Sequence, residues 1–233
     1  MIVLAIDTAT ADLVAGVVEA GEAGETKALA RALAESVTRT RAHNERLVPT
    51  VNGLLEQAGA SFADIESIVV GCGPGPFTGL RVGMATAQAF GQALGVPVHG
   101  VVTHDAVARC ACGESGAECL VVTDARRREV YWARYSGGRR VSGPHVTAPS
   151  QVDTIGVEML SVPEELAGLL PAHDAKVIYC APRPAGLVAA ADLAARPGPL
   201  VAHYLRRPDA VPPARGPKSR AIPDVDTQAL GDA

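Results

Sequence analysis

The sequence predicts an α/β protein made of two halves, each with the element order β-β-β-α-β-α. Two short apolar runs indicate this order, Ile2–Ile6 and Cys119–Val122. Each run reads as a buried strand and leads to an aspartate at the entrance of a polar turn, Asp7 in one half and Asp124 in the other. The third observation is the stretch Gly71–Gly83, which joins an apolar run to a long segment rich in alanine and glycine. The succession of strand, glycine-proline loop and helix is typical of an α/β fold, and the duplication rests on this pattern alone.

The first half, residues 1–101, is predicted to form one subdomain. Its segment Lys27–Ser36 stays open between a helix, which its alanine and leucine content favours, and a strand that would complete an antiparallel meander. Pro49 lies inside a predicted helix and bends it or delays its start, and Gly59 ends that helix. The other predicted elements are strands Ile2–Ile6, Leu13–Glu19, Ser67–Val70 and Val96–Val101 and helices Ala42–Gln57 and Leu80–Leu94.

The second half, residues 102–209, repeats the order. Ser161 is predicted to cap a helix, because Pro163 and two acidic residues follow it in the way a first helical turn prefers. The remaining predicted elements are helix Asp105–Cys112, strands Cys119–Asp124, Glu129–Tyr135, Arg140–Ala148 and Lys176–Cys180, and helix Ala185–Ala194. Residues 210–233 are rich in proline and poor in large apolar side chains, which predicts a mobile tail.

Composition and charge exclude several classes of protein. The chain has 233 residues and a net charge of −4, which gives no broad attraction to nucleic acid or to an anionic membrane. We see no apolar run near the roughly 20 residues that span a bilayer and no basic start of a signal peptide, so we expect a cytoplasmic protein. The five cysteines are expected to be reduced thiols, and the spacing of Cys110 and Cys112 is poor for zinc.

The loop Gly71–Gly83 carries the strongest local signal. Glycine lets a backbone approach a ligand closely and proline stiffens the loop, so the segment could contact a phosphate or fix a helix for docking. A plain strand-to-helix turn is the alternative. The loop is not a Walker phosphate loop, because no Gly-Lys-Ser/Thr sequence closes it.

Small residues recur every four positions through the helix that follows this loop. They form one smooth stripe, which is explained by close approach either to the protein's own sheet and helices or to another subunit. If the stripe faces a subunit, a bulky residue at Ala87 or Gly91 should abolish dimers and leave the monomer folded. The stripe consists of Gly79, Gly83, Ala87, Gly91 and Gly95.

The two strand-ending aspartates have two interpretations as well. Asp7, with Thr8 beside it, and Asp124 could position a nucleotide phosphate or Mg²⁺, or each aspartate could cap its own turn by accepting a bond from the backbone two residues on. The turns after them lack the glycines that a close phosphate contact favours, so the predicted phosphate contact is vestigial. The basic run Arg126–Arg128 fits a contact with tRNA or an acidic partner, or a solvated hairpin tip. A hydrolase is not favoured, because no nucleophile elbow or His-Glu-x-x-His motif occurs.

Five motifs together give a resemblance to a family. They are Ile6–Thr10, Arg41–Leu47, Gly73–Gly83, Asp124–Tyr131 and Tyr204–Ala210. With these residues the chain resembles the TsaB family, bacterial proteins of tRNA threonylcarbamoyladenosine biosynthesis. More widely, the duplicated halves resemble the actin-like ATPase (ribonuclease H-like) fold. One departure is Pro76, which stands where the family loop usually has serine and removes a hydroxyl and an N–H group.

The resemblance implies a non-catalytic scaffold without cofactors or metal of its own. Such a protein dimerises with a catalytic paralogue of the TsaD type, which binds metal, and a TsaE-type ATPase joins them on tRNA; homodimers are the other assembly. The paralogue's metal motif is His-x-x-x-His, and here Leu47 follows His43 in the second place. The alternative is an actin-like small-molecule kinase or ATPase with its own nucleotide site. The residues predicted to form the partner interface are Leu47, Val51, Leu55, Gly79, Arg81, Gly83, Ala87 and Gly91.

Overall fold

Two five-stranded sheets organise the protein in the computed structural model, which describes residues 1–21, 30–112 and 116–206. The described residues form ten strands and five α-helices. The strands are β1 Ile2–Asp7, β2 Asp12–Glu19, β3 Arg31–Arg39, β4 Ser67–Gly71, β5 Val98–Val101, β6 Cys119–Asp124, β7 Val130–Ser136, β8 Arg139–Thr147, β9 Met159–Ser161 and β10 Lys176–Ile178. The helices are α1 His43–Ala58, α2 Phe77–Leu94, α3 Thr103–Ala111, α4 Glu164–Ala167 and α5 Pro184–Ala190.

The first sheet has the strand order β3-β2-β1-β4-β5. Its first three strands form an antiparallel meander, and β4 and β5 then run parallel to β1. Both faces of β1 are covered, which explains its continuous run of apolar residues. Leu4 and Ile6 face one apolar cluster, whereas Val3 and Ala5 face another. The ambiguous segment after residue 30 is therefore a strand and not a helix.

The second sheet repeats this topology. Its order is β8-β7-β6-β9-β10, again with an antiparallel meander of three strands followed by two strands parallel to the first of them. The predicted duplication is confirmed at the level of strand order. The two halves differ after the meander, where the first half has the long helix α1 and the second has only a 3₁₀ turn, Pro149–Gln151.

A layer of two helices lies between the sheets. Helix α5, from the end of the chain's second half, packs on the first sheet, where Leu187 and Val188 join the cluster of Val3 and Val14. Helix α3, which follows the first sheet in sequence, packs on the second, where Val107 joins the cluster around β6 and β7. Each sheet is thus covered on its inner face by one of these two helices, and Ala106 of α3 also reaches the cluster on the first sheet.

Helix ends explain two differences from the predicted boundaries. Helix α1 contains Pro49 and ends at Gly59, whose left-handed backbone closes it as predicted. Helix α2 begins at Phe77, three residues before the predicted start, because Pro76 takes the N-cap position in extended conformation. The prediction for Ser161 was wrong: it ends strand β9, its hydroxyl accepts a bond from the Cys180 amide, and α4 is a single turn.

Two further expectations meet the structure differently. Cys112 and Cys119 form a disulfide, so the expectation that all five thiols are reduced was wrong for this pair. Cys112 caps the end of α3 and Cys119 begins β6, which places the two side chains together at the start of the second sheet.

The predicted tail, residues 210–233, lies outside the described residues. None of the helices within the described ranges is long and apolar enough to cross a membrane.

The small-residue stripe of α2 packs inside the protein. A Cβ atom at Gly91 would lie 2.2 Å from Cγ2 of Val98, and one at Gly83 would lie 2.4 Å from Oγ1 of Thr8. Ala87 is fully buried in the same core. The close approach that the stripe permits is therefore between α2 and its own sheet, which was one of the two interpretations left open.

This packing corrects the predicted partner interface. Leu47, Val51 and Leu55 of α1 are buried in the same cluster as Ala87, and a buried side chain does not contact another protein unless the fold opens. Gly83 and Gly91 are buried too, Gly79 is half-buried, and Arg81 alone of the predicted eight is exposed. Any interface on these helices has to use their exposed residues.

Substitutions on the two faces of α2 should separate these roles. Gly91→Val should destabilise the monomer by about 1–3 kcal/mol, because the added atoms overlap Val98 in a packed core. Ala89→Val, on the exposed face of the same helix, should change the unfolding free energy by only about 0.5 kcal/mol. Urea denaturation followed by circular dichroism measures both, and equal effects of the two substitutions would contradict the packing described.

Candidate functional site

The candidate site is the inter-sheet cleft, which we define by the ends of β1 and β6, the glycine-proline loop after β4 and the start of α3. Strands β1 and β6 occupy the same position in their two sheets and end at Asp7 and Asp124. Polar residues at the carboxyl ends of parallel strands are where α/β folds place their ligands. The predicted residues Asp7, Thr8 and Asp124 therefore lie at the right edge for a phosphate contact.

Asp7 has no exposed surface, and its two carboxylate oxygens are both engaged. Oδ1 accepts a hydrogen bond from the Ala9 amide at 2.7 Å, and Oδ2 accepts one from the Thr103 hydroxyl at 2.7 Å. Burial raises the pKa of Asp7 to about 6, and the two hydrogen bonds offset part of that rise by stabilising the charged form. Both oxygens of the Asp7 carboxyl group are thus occupied by donors of the same chain.

Thr8 connects the end of β1 to helix α2. Its hydroxyl donates to the Gly79 carbonyl at 2.7 Å and accepts from the Gly83 amide at 3.0 Å. A side chain inserted into the helical hydrogen-bond ladder in this way holds the first turns of α2 against β1. The Thr8 side chain therefore has a structural role, since both of its hydrogen bonds join β1 to α2.

The glycine-proline loop closes directly over the turn that follows Asp7. A Cβ at Gly71 would lie 1.7 Å from Asp7 Oδ2, and a Cβ at Gly75 would lie 2.1 Å from the Ala9 carbonyl oxygen. Only glycine permits such an approach of two backbones. The loop and the turn are thus in close contact beside Asp7.

The first residues of α3 tie both sheets to this loop. The Thr103 amide donates to the Gly73 carbonyl at 2.7 Å, and the Gly73 amide donates to the Thr103 hydroxyl at 3.2 Å. The next residue, His104, bonds through Nε2 to the Thr123 hydroxyl at 2.9 Å, one residue before Asp124. Burial, with a smaller effect of Arg140, lowers the pKa of His104 to about 3, so the imidazole is neutral. Adjacent residues therefore contact the ends of β1 and β6.

Asp124 differs from Asp7 in being partly exposed. It accepts a bond from the Arg126 amide at 2.7 Å and pairs with the Arg126 guanidinium at 3.1 Å. Arg206 binds over this turn through the Arg126 carbonyl and the Glu129 carboxylate. Both strand-ending aspartates make the turn-capping bond to the residue two positions on, and a nucleotide contact at either stays a prediction.

Sequence reasoning overlooked several residues of the cleft. Thr103 and His104 form a polar pair directly after strand β5, a position that could have marked them as lining the carboxyl edge of the sheet. Tyr204 and Arg206 belong to one of the motifs behind the family resemblance, but no local signal indicates their contacts with Phe77 and Glu129.

The position that a paired metal motif would occupy lies at the start of helix α1. His43 is the first residue of α1, and Leu47, in the place of a second ligand, is buried in the apolar core. Among the described residues, no three His, Cys, Asp or Glu side chains are grouped so that they could hold a metal ion.

Two similar sheets, each with a capped aspartate turn at its first strand and with helices between them, define an α/β protein of the actin-like, ribonuclease H-like class. A sequence model described as TsaD, tRNA N6-adenosine threonylcarbamoyltransferase, matches residues 32–192. The chain belongs to this family, and within it to the TsaB/YeaZ group.

Curated relatives lie in mycobacteria and in Escherichia coli. An uncharacterized protein of Mycobacterium tuberculosis is 50% identical over 213 residues, which cover 90% of this chain and 94% of the relative. One of Mycobacterium leprae is 52% identical over 91% of this chain, and the chain spans only 56% of that longer relative. The tRNA threonylcarbamoyladenosine biosynthesis protein TsaB of E. coli is 41% identical over 96 residues, 41% of this chain and 42% of TsaB.

Solved structures agree with this placement. YeaZ from Pseudomonas aeruginosa is 28% identical with a TM-score of 0.63, and the match covers 81% of this chain and 89% of YeaZ. A second structure, described as similar to the peptidase YeaZ from P. aeruginosa, is 26% identical with a TM-score of 0.65 over 86% of this chain and 99% of its own.

The buried carboxyl group of Asp7 should make stability depend on pH in an unusual direction. Its pKa in the folded protein, about 6, lies above the ordinary value of 3.8, so the folded state binds the proton more tightly than the unfolded state. The contribution of Asp7 to stability is therefore largest below about pH 4 and falls by up to about 3 kcal/mol as the pH rises through 6.

Asp7→Asn is the variant that isolates this effect. The difference in unfolding free energy between the protein and the variant, from urea titrations at several pH values, should move against the native aspartate as the pH rises from 4 to 6. A difference that is flat over this interval would contradict the raised pKa.

Proposed function

We propose that the chain acts in the threonylcarbamoyl modification of the tRNA adenosine beside the anticodon, as a non-catalytic scaffold. In this role it dimerises with a TsaD-type catalytic paralogue, stabilises it and helps to recruit a TsaE-type ATPase. The similarity to TsaB of E. coli and to the TsaD family model supports this pathway. Metal and ATP belong to the partner proteins under this proposal.

One observation carries the non-catalytic part of the proposal: both oxygens of Asp7 are hydrogen-bonded to the protein while the glycine-proline loop touches the turn behind it. A phosphate bound there would have to displace the loop, break the Thr103 bond and leave a buried carboxylate facing an anion. A phosphate and a carboxylate in contact within a buried site repel each other strongly, because both carry negative charge. The cleft is thus suited to holding the two halves together.

The residues at the start of α1 also support a non-catalytic role for this chain. The paralogue's His-x-x-x-His motif needs two histidines on one helical face, and α1 offers His43 followed one turn later by a buried leucine. Leu47 fills the apolar core at the position of the second histidine.

Subunit contact, under the proposal, uses the outer face of α1 and α2. Val48 has 41% of its surface exposed although it is apolar, and Ala85 and Ala89 are exposed one helical turn apart on α2. Small exposed alanines would let another helix approach closely. This face replaces the buried residues of the original prediction.

Reconstitution tests the scaffold directly. Purified TsaD-type and TsaE-type proteins, with tRNA, threonine, bicarbonate, ATP and the enzyme that makes threonylcarbamoyl-adenylate, should give modified nucleoside only when this chain is added. Ala89→Glu should weaken binding of the paralogue and lower the yield, because a charge enters the proposed interface, while Ala189→Glu on the exposed side of α5 serves as the matched control. An equal yield of modified nucleoside without the chain would reject the proposal.

Nucleotide titration separates the scaffold from a kinase or ATPase. Calorimetric titration of the isolated chain with Mg²⁺-ATP should give no tight binding, because the loop occupies the space beside Asp7. Tight, Mg²⁺-dependent binding that Asp7→Asn abolishes would instead establish a nucleotide site in this chain.

A further inference from the structure

Aromatic and arginine side chains form one continuous surface across the mouth of the inter-sheet cleft. The guanidinium carbon of Arg81 lies 4.4 Å from the centre of the Phe77 ring, and the Tyr204 ring meets Phe77 edge-on at 5.4 Å between centroids. Two residues beyond Tyr204, Arg206 reaches the hairpin turn Arg126–Arg128 through the Arg126 carbonyl, at 3.2 Å. We call Phe77, Arg81, Tyr204, Arg206 and the turn Arg126–Arg128 the arginine–aromatic surface.

This surface connects the two halves of the protein. Phe77 and Arg81 belong to the first turns of α2, on the first sheet, whereas the turn Arg126–Arg128 joins β6 to β7 of the second. Arg206 completes the link by its ion pair with Glu129 at the base of the turn. A ligand lying on it would therefore contact both halves at once.

Its rings are available for contact. Phe77 has 49% and Tyr204 37% of its surface exposed, although the chain contains few aromatic residues. Phe77 begins α2 next to the glycine-proline loop, which holds it in place without burying it. Flat, exposed rings bordered by guanidinium groups are typical of surfaces that stack nucleobases.

Its charge contrasts with that of the whole chain. Among the described residues, five arginines lie here with the acids Asp124 and Glu129, which pair with Arg126 and Arg206, in a chain whose net charge is −4. Guanidinium groups bind phosphate oxygens in a forked geometry, so a surface with several arginines is suited to a polyanion.

The arginine turn also has an unusual backbone. Arg126, Arg127 and Arg128 have φ values of 63°, 52° and 64°, all in the left-handed region that is unfavourable for residues with side chains. Glycine or asparagine would adopt this turn with less strain. The backbone at the tip of this hairpin is thus strained at three consecutive arginines. Arg206 contacts the tip and lies two residues after the exposed Tyr204 ring.

We propose that the arginine–aromatic surface binds single-stranded RNA, with bases stacked on Phe77 and Tyr204 and phosphates held by the arginine turn. An acidic protein segment would satisfy the arginines, but it would not use two exposed rings that flank a guanidinium group. The inference rests on the proposed function, since it makes this chain a direct contact for the RNA that is modified.

Fluorescence anisotropy with a labelled RNA hairpin that carries a single-stranded loop, titrated with the full chain at several salt concentrations, tests the surface. Phe77→Ala and Tyr204→Ala should each weaken binding about tenfold, because each removes a stacking platform. Phe77→Tyr and Tyr204→Phe keep the ring and should restore the affinity. Arg128→Ala should lower the salt dependence of binding by about one released ion.

Controls separate this result from a general loss of charge or of folding. Arg31→Ala removes the same charge at the edge strand β3, where Arg31 pairs with Glu19, and should leave affinity and salt dependence unchanged. Each variant is checked for native unfolding free energy in urea. The matching duplex RNA should bind more weakly than the hairpin loop.

Unchanged RNA affinity in the two alanine variants overturns the inference, as does preferential binding of a polyglutamate peptide, which would make the surface a site for an acidic protein. The reconstitution above keeps the two proposals apart. If the chain is required for modification and its RNA affinity does not depend on this surface, the RNA inference fails alone. If the surface binds RNA and the chain is dispensable for modification, the scaffold proposal fails alone.

Discussion

A carboxyl group with no access to water is the constraint on which the fold depends. Asp7 lies where the first sheet, the glycine-proline loop and α3 meet, and a buried carboxyl group is tolerated only when its oxygens are hydrogen-bonded. The Thr103 hydroxyl supplies one of those bonds, and the same residue exchanges two bonds with Gly73. Because His104 follows and contacts Thr123, the start of α3 sets the position of the second sheet relative to the first.

The same arrangement explains how a fold with a ligand cleft can serve a structural purpose. Glycines that would let a backbone approach a phosphate at Gly71 and Gly75 here let it approach Asp7 and Ala9. Contacts within the chain bridge the two halves: the Thr103 hydroxyl donates to Asp7, the Tyr179 hydroxyl donates to Asp12, and the Tyr204 ring packs on Phe77. Under the proposed function, such a cleft gives a partner a rigid surface.

Much of the fold could be predicted from the sequence because strands β1 and β6 are continuous apolar runs that end in aspartate, a strong local signal. The family resemblance rested on equally local motifs. The site was harder, since a stripe of small residues looks the same whether its partner is Val98 of the same chain or another protein. Ser161 misled for a related reason: its hydroxyl is used by Cys180 across the sheet, a contact with no trace in the neighbouring residues.

The packing of α5 on the first sheet has a consequence during synthesis. The inner face of the first sheet, with Val3, Val14 and Val69, is covered by Leu187 of α5, which is made long after β5 is complete. Ribosomes add roughly 5 to 20 residues per second, so this apolar face stays exposed for some seconds before α5 has been synthesised. The first sheet of the nascent chain is therefore open on its inner face, and its packing is complete only after α5 has left the ribosome.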